Sequence, residues 1–350
     1  EAVCRGAGLV LRADPDRADL VILNTCAFIA PAVEESLDVL GDALAWKASG
    51  KGRKVVLAGC LPGRFPDDGS GGLEDVDLVI RPGEVRRLAR WLGAAQAAFM
   101  QEGRGVSRFV KIADGCDNNC SYCTIPLIRG PFRPVPPREV EESVAHVVRQ
   151  GAREIGLVAQ DSGAHPDLTG ILDRVTRSHP EVWFRLYYLH PAHFPRGFLE
   201  LLENRPNLTP YVDLPIQHVS ARVLDRMGRG YGPDRLTRIM EAVDGLSREA
   251  AVRFTVITGY PGETAEDFDS LLSFLGRWRS PRHIAAFPWW PEEGTGEYFR
   301  AAAKGDAVAG PEASRRLAAI SSLGECLYQS WAERLSGVVF PVLADSREEG

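Results

Sequence analysis

Apolar residues fall into short, nearly unbroken runs that alternate with amphipathic stretches along the whole chain. Asp19-Leu20-Val21-Ile22-Leu23 ends in Asn24-Thr25-Cys26 and is followed by a helical pattern over 31–47. Lys54-Val55-Val56-Leu57-Ala58 ends in Gly59-Cys60, and Val76-Asp77-Leu78-Val79-Ile80 leads through Pro82-Gly83 into a helical pattern over 84–92. Strands that are apolar throughout and separated by helices predict a parallel α/β sheet covered on both faces. Ligand groups in such sheets lie at the carboxyl ends of the strands, where Cys26 and Cys60 both fall.

A run of small residues over 94–105 predicts a linker. Beyond it, strand-like runs recur at 106–113, 154–159, 183–189, 210–216, 252–258 and 283–288, with helical patterns between them. Six βα units predict an incomplete version of the eight-unit barrel, again with chemistry at the carboxyl ends of the strands. A helix over 311–335 closes the series. Cys326 takes an apolar position within it and is expected in the core.

Composition narrows the class. With 45% hydrophobic and 25% charged residues the chain suits a globular fold, and no apolar run reaches the length of a membrane span. A formal net charge of −6 argues against a surface that wraps nucleic acid throughout. Seven cysteines in 350 residues, with no signal peptide ahead of them, point to a reducing, cytoplasmic setting rather than a disulfide scaffold.

Three of those cysteines stand together in Gly115-Cys116-Asp117-Asn118-Asn119-Cys120-Ser121-Tyr122-Cys123, directly after the first barrel strand. Thiolates at C-x3-C-x2-C spacing on one loop suit an iron–sulfur cubane that keeps one iron free of protein ligands. The competing reading is structural zinc, which takes four ligands and usually paired C-x2-C units; only one such pair is present.

With Tyr122 before the last cysteine, the loop resembles the radical S-adenosylmethionine superfamily. Thr255-Val256-Ile257-Thr258-Gly259-Tyr260-Pro261-Gly262-Glu263-Thr264 is similar to the superfamily's fifth-strand motif, which lies against the cofactor's adenine. Cys26 and Cys60 ahead of the barrel resemble the methylthiotransferase branch. Ala159-Gln160-Asp161-Ser162, the Tyr187-to-Pro191 stretch and the Asp213-to-Ser220 stretch resemble its members that modify an aspartate of the twelfth small-subunit ribosomal protein, rather than adenosines of tRNA, the alternative substrate. A zinc-stabilised binding module is the non-enzymatic alternative.

The resemblance implies an N-terminal parallel α/β (flavodoxin-like) domain over 1–93, a linker over 94–105 and an incomplete (β/α)6 TIM-type barrel over 106–300. A closing helical segment over 301–336 and the start of a C-terminal β-barrel over 337–350 follow. It implies two [4Fe-4S] clusters and S-adenosylmethionine: Cys116, Cys120 and Cys123 on the radical cluster, Cys26 and Cys60 on the auxiliary one. Tyr122, Gln160, Asp161, Ile257, Gly259 and Glu263 are implied at the cofactor, and Gln217 and His218 at the substrate. Electron donor and sulfur source are left unnamed.

From the residues alone, Glu263 could instead N-cap the helix beginning near Ala265. Arg129 and Arg133 offer a candidate anion site, and Trp289-Trp290 stand where the family has tyrosine and serine. The family's third auxiliary cysteine is expected before Glu1, with Cys4 a structural thiol. The chain is therefore expected to be a stretch of a longer enzyme, not fully competent in sulfur transfer by itself.

Overall fold

The structure, a computed structural model, describes residues 2–65, 75–94 and 105–344. The expected linker lies outside the described residues apart from its two end positions. The chain divides into two compact units, one made of 1–102 with 123–131 and the other of 103–122 with 132–350. Among the described residues no helix is long and apolar enough to cross a membrane.

The first unit holds the parallel sheet β1 (Leu20–Thr25), β2 (Lys54–Gly59) and β3 (Leu78–Ile80), in that order. β2 shows why its sequence is apolar without alternation. Val55 and Leu57 pack with Leu40 and Ala43 on one face, while Val56 packs with Leu78, Ile80 and Leu88 on the other. Each such side chain, fully buried, contributes about 1.5–3 kcal/mol. The first helix covers only Ala2–Gly6 because Gly8 turns left-handed at φ 76°, and Cys4 is buried within it.

The second unit carries β4 (Ser107–Lys111), β7 (Glu154–Val158) and β8 (Trp183–Leu186) as one parallel sheet. A second parallel sheet contains β9 (Tyr211–Gln217), β10 (Ala251–Thr258) and β11 (Pro281–Pro288). An isolated parallel bridge, Phe184 to Leu208, links β8 to the residues leading into β9. β10 alternates in burial. Phe254 and Val256 join the large core with Phe268, Leu271 and Phe274 of the helix Ala265–Arg277, whereas Arg253, Thr255 and Ile257 remain half-open on the other face. That alternation is the expected signature of a strand between helices and a partly open barrel interior.

Several expected elements end differently. The run over 106–113 breaks into β4 and a two-residue strand, β5 (Ala113–Asp114), which pairs antiparallel with β6 (Arg133–Pro134). This small ladder ties together the two stems of the cysteine loop. β8 stops at Leu186, short of 189, as Tyr188 adopts φ 58°. No strand forms over 338–343. Strand hydrogen bonds require a partner, and among the described residues none pairs there, which leaves Val339 97% exposed. Cys326 is exposed, contrary to expectation: the closing helix Gly310–Arg334 packs through Arg316, Ile320 and Leu323, and Cys326 lies off that stripe.

Candidate functional site

At the first unit's strand ends, the parallel register sets Thr25 opposite Gly59, so Cys26 and Cys60 leave neighbouring strands at equal height. The Cys60 N–H donates to Thr25 O at 2.9 Å. The Thr25 hydroxyl donates to Ala58 O (2.7 Å) and accepts from the Leu61 N–H (3.1 Å). Gly59 permits this join, since a Cβ there would meet Thr25 O at 2.4 Å. The Ser36 hydroxyl donates to Cys26 O, while Arg64 and Thr124 donate to the carbonyls of Ala27 and Phe28. Cys26 is exposed and Cys60 half-buried, an arrangement open to a soft metal ligand set.

In the second unit the loop with Cys116 and Cys120 is docked through Ser121. Its N–H donates to Met227 O (3.0 Å) and its hydroxyl to Arg226 O (2.8 Å), and its carbonyl accepts from the Glu297 N–H (2.7 Å). Glu297 is itself held by Arg226 and the Tyr260 hydroxyl. Asn119 takes a left-handed φ of 50°, and Asn118 donates to Cys116 Sγ at 3.3 Å. Burial pushes the Cys116 thiol above its ordinary pKa, and nearby Asp161 adds to the rise. Cys123 follows Tyr122 directly in the chain and belongs to the first unit's returning segment.

Around this loop, the expected cofactor residues take distinct roles. Tyr122 and Ile257 join a small apolar cluster with Tyr260 and Trp289, the Tyr122 and Tyr260 rings meeting edge-on at 6.2 Å. Trp289 packs edge-on against Tyr260, and Trp290 is exposed. Asp161 is 1% exposed; one carboxylate oxygen accepts from Asn118 (2.7 Å) and from His193 Nδ1 (2.6 Å), and the other has no partner. Gln160 Oε1, Gln217 Oε1 and Thr258 Oγ1 are likewise buried without hydrogen-bond partners. These orphaned groups stand at the carboxyl ends of β7, β9 and β10. A buried polar atom left alone costs about 1–3 kcal/mol, so the pattern suits a polar ligand.

Glu263 faces inward. Its side chain is fully buried and accepts from the Gly259 and Tyr260 N–H groups, His218 Nε2 (3.3 Å) and Arg316 (3.1 Å). It therefore fixes the left-handed Gly259 turn rather than presenting a free carboxylate. Nor does it cap the next helix, whose N-cap is Thr264 in a capping box with Asp267. His218 is wholly buried in the same network, whereas Gln217 is held left-handed at φ 63°. Arg129 belongs to the first unit, and Arg133, in β6, to the second.

Three residues escaped the sequence reading. His193 completes a cluster with Asp161 and His190. His190 Nδ1 accepts from the Ala192 N–H, so its buried Nε2 carries hydrogen and finds no acceptor. Burial, with Arg229 and His193 nearby, pulls the His190 pKa down to about 2. Arg229 is the third: it donates to Cys120 Sγ at 3.1 Å. His193 follows His190-Pro191 by two residues, a cue visible only once the strand end is placed; nothing in sequence marks a buried arginine.

The family model described as Radical SAM superfamily matches residues 110–275, and that of Uncharacterized protein family UPF0004 matches residues 2–81. The ribosomal protein uS12 methylthiotransferase RimO of Carboxydothermus hydrogenoformans is 34% identical over 316 residues, covering 84% of this chain and 72% of that protein. The chain belongs to the RimO family of radical S-adenosylmethionine methylthiotransferases. A second member, from Chlorobium limicola, is 32% identical and spans 99% of this chain and 82% of its own length. Among solved structures, the radical S-adenosylmethionine methyltransferase TsrM of Kitasatospora setae, with cobalamin and a [4Fe-4S] cluster, superposes with a TM-score of 0.61. Identity is 15%, with 81% of this chain and 66% of TsrM covered. That likeness shows the fold, a partial barrel of the radical S-adenosylmethionine type. The RimO family carries two [4Fe-4S] clusters and uses S-adenosylmethionine, and the thiol sets and orphaned polar groups above fit both.

Proposed function

We propose that the protein is a methylthiotransferase that places a methylthio group on the β-carbon of an aspartate in ribosomal protein uS12. The observation that carries this reading is the C-x3-C-x2-C loop clamped by β5 and β6, in a chain about one-third identical to uS12 enzymes over most of its length. The tRNA and zinc-module alternatives gain no support, as the curated relatives reported above are ribosomal-protein enzymes. A ribosomal-protein substrate is met in the cytoplasm, where we infer that the enzyme works.

In this reading Cys116, Cys120 and Cys123 hold the radical cluster, and Cys26 and Cys60 contribute to the auxiliary one. When bound, the clusters and S-adenosylmethionine supply one-electron chemistry, sulfur and the methyl group. The chain's own residues orient and enclose. Asp161 and Gln160 offer acceptors to the cofactor's polar end, with Asp161 locked by Asn118 and His193. Tyr122 and Ile257 give an apolar wall for its adenine, and Glu263 holds the Gly259 turn in shape. Gln217 and His218 lie at the end of β9 on the substrate side, Gln217 making the contact and His218 accepting the Ser220 N–H to hold the loop that follows. Holding reacting groups in line and excluding water is the protein's main share of such catalysis.

The test is to express the protein in a bacterial strain lacking its own uS12 methylthiotransferase and to weigh peptides of uS12 alongside nucleosides of tRNA. Gain of one methylthio group on a uS12 aspartate is the expected result. Unmodified uS12 with newly modified tRNA adenosines would overturn the substrate assignment.

A further inference from the structure

Arg229 is 4% exposed, yet among the described residues no carboxylate pairs with it. Its guanidinium donates to Pro215 O (2.6 Å), the Tyr231 hydroxyl (3.1 Å), the Tyr122 hydroxyl (3.4 Å) and Cys120 Sγ (3.1 Å). None of these partners is a carboxylate. Tyr231 is held neutral, burial raising its pKa, and its own hydroxyl donates to Ile216 O (2.8 Å).

An arginine cannot shed its charge under ordinary conditions, and a buried cation without a counter-charge is expensive. The chain nevertheless builds a turn for it. After the helix Ala221–Arg226, Gly228 and Gly230 are both left-handed (φ 67° and 68°), and a Cβ on Gly228 would already touch Asn119 O at 3.4 Å. The two glycines thus bring Arg229 up against the cysteine loop from below.

We propose that Arg229 is the built-in counter-cation of the radical cluster, its bond to the Cys120 sulfur stabilising the reduced state. The added electron increases the cluster's negative charge by one, and a fixed guanidinium in a low-dielectric setting favours that state. Arg229 is a positioning and potential-setting residue; it touches a ligand sulfur, not the substrate. The inference rests on reading the cysteine loop as a cluster site.

The test is an EPR-monitored redox titration of the full chain, reconstituted with iron and sulfide, comparing wild type with Arg229→Gln and Arg229→Lys. Arg229→Gln is expected to bind the same iron but to show at least a tenfold lower reduced-to-oxidised ratio at fixed potential, about 59 mV for one electron. Arg229→Lys keeps the charge but loses the planar fork, so a smaller fall in the same direction is expected. Where Arg229→Gln fails to fold, Arg229→Lys together with Tyr231→Phe, which frees the guanidinium Nε, carries the comparison. Iron bound with an unmoved potential in the folded variants overturns the proposal. Absence of iron in the wild type overturns instead the cluster reading beneath it.

Discussion

Replacing Gly59 by alanine probes the join between β1 and β2 on which the Cys26–Cys60 pair depends. Gly59 has φ 99°, and an added Cβ would stand 2.4 Å from Thr25 O and 2.8 Å from Thr25 N, both backbone atoms of the neighbouring strand. The left-handed conformation alone costs an L residue about 1–2 kcal/mol. Relief of the clash requires the strand ends to part. That breaks the bond from Cys60 N–H to Thr25 O and the two bonds of the Thr25 hydroxyl, at about 1 kcal/mol each. The total is about 4–5 kcal/mol, a large share of a domain's net stability. Gly52→Ala is the control, because Gly52 is also left-handed (φ 79°) but has nothing within 4 Å of an added Cβ. Urea unfolding of both variants, with hydrogen exchange at the Cys60 and Leu61 amides, reads the difference. Gly59→Ala is expected to lose about 3 kcal/mol more than Gly52→Ala and to expose both amides. Equal losses would refute the idea that close strand approach positions the cysteines.

Three further outcomes follow from the second unit and the closing helix. His190 is buried neutral with a pKa near 2, so the unfolded chain binds more protons below pH 6.5. Stability is full above that pH and falls by about 2 kcal/mol between pH 7 and 5, a slope that His190→Gln should flatten in urea titrations. Glu263→Gln leaves Arg316 and the Gly259 turn poorly matched. It is expected to destabilise by about 3–5 kcal/mol and to weaken S-adenosylmethionine binding by calorimetry, with cluster iron retained. Substituting alanine at Cys116 or Cys120 should abolish the loop's iron, while Cys326→Ser, exposed on the closing helix, should leave iron content and melting temperature unchanged.

The strands were legible because their chemistry is one-dimensional. β2 is apolar from Val55 to Ala58 since both its faces are covered, and β10 betrays its barrel role by ending in Thr258-Gly259 with a glycine that must turn left-handed. The cysteine loop was legible because all three cysteines lie within eight residues. What pairing decides was not legible: β5 exists only through β6, twenty residues on, and the apolar run over 338–343 forms no strand without a partner. Long-range polar contacts were also hidden. The buried Glu263 carboxylate meets His218 and Arg316, 45 and 53 residues away, rather than capping the helix that follows it. Cys326 misled because an apolar residue on a long helix is buried only if it shares the stripe of Ile320 and Leu323.

The central claim, that the loop of Cys116, Cys120 and Cys123 holds a cluster which receives S-adenosylmethionine, is tested most directly by EPR. The anaerobically reconstituted, dithionite-reduced protein would be measured before and after adding the cofactor, with Cys26→Ala and Cys60→Ala in place to silence the auxiliary site. The account predicts a reduced [4Fe-4S] signal whose shape changes on addition, and its loss when the three loop cysteines are also replaced. A signal indifferent to S-adenosylmethionine, or a colourless protein carrying stoichiometric zinc, would contradict it.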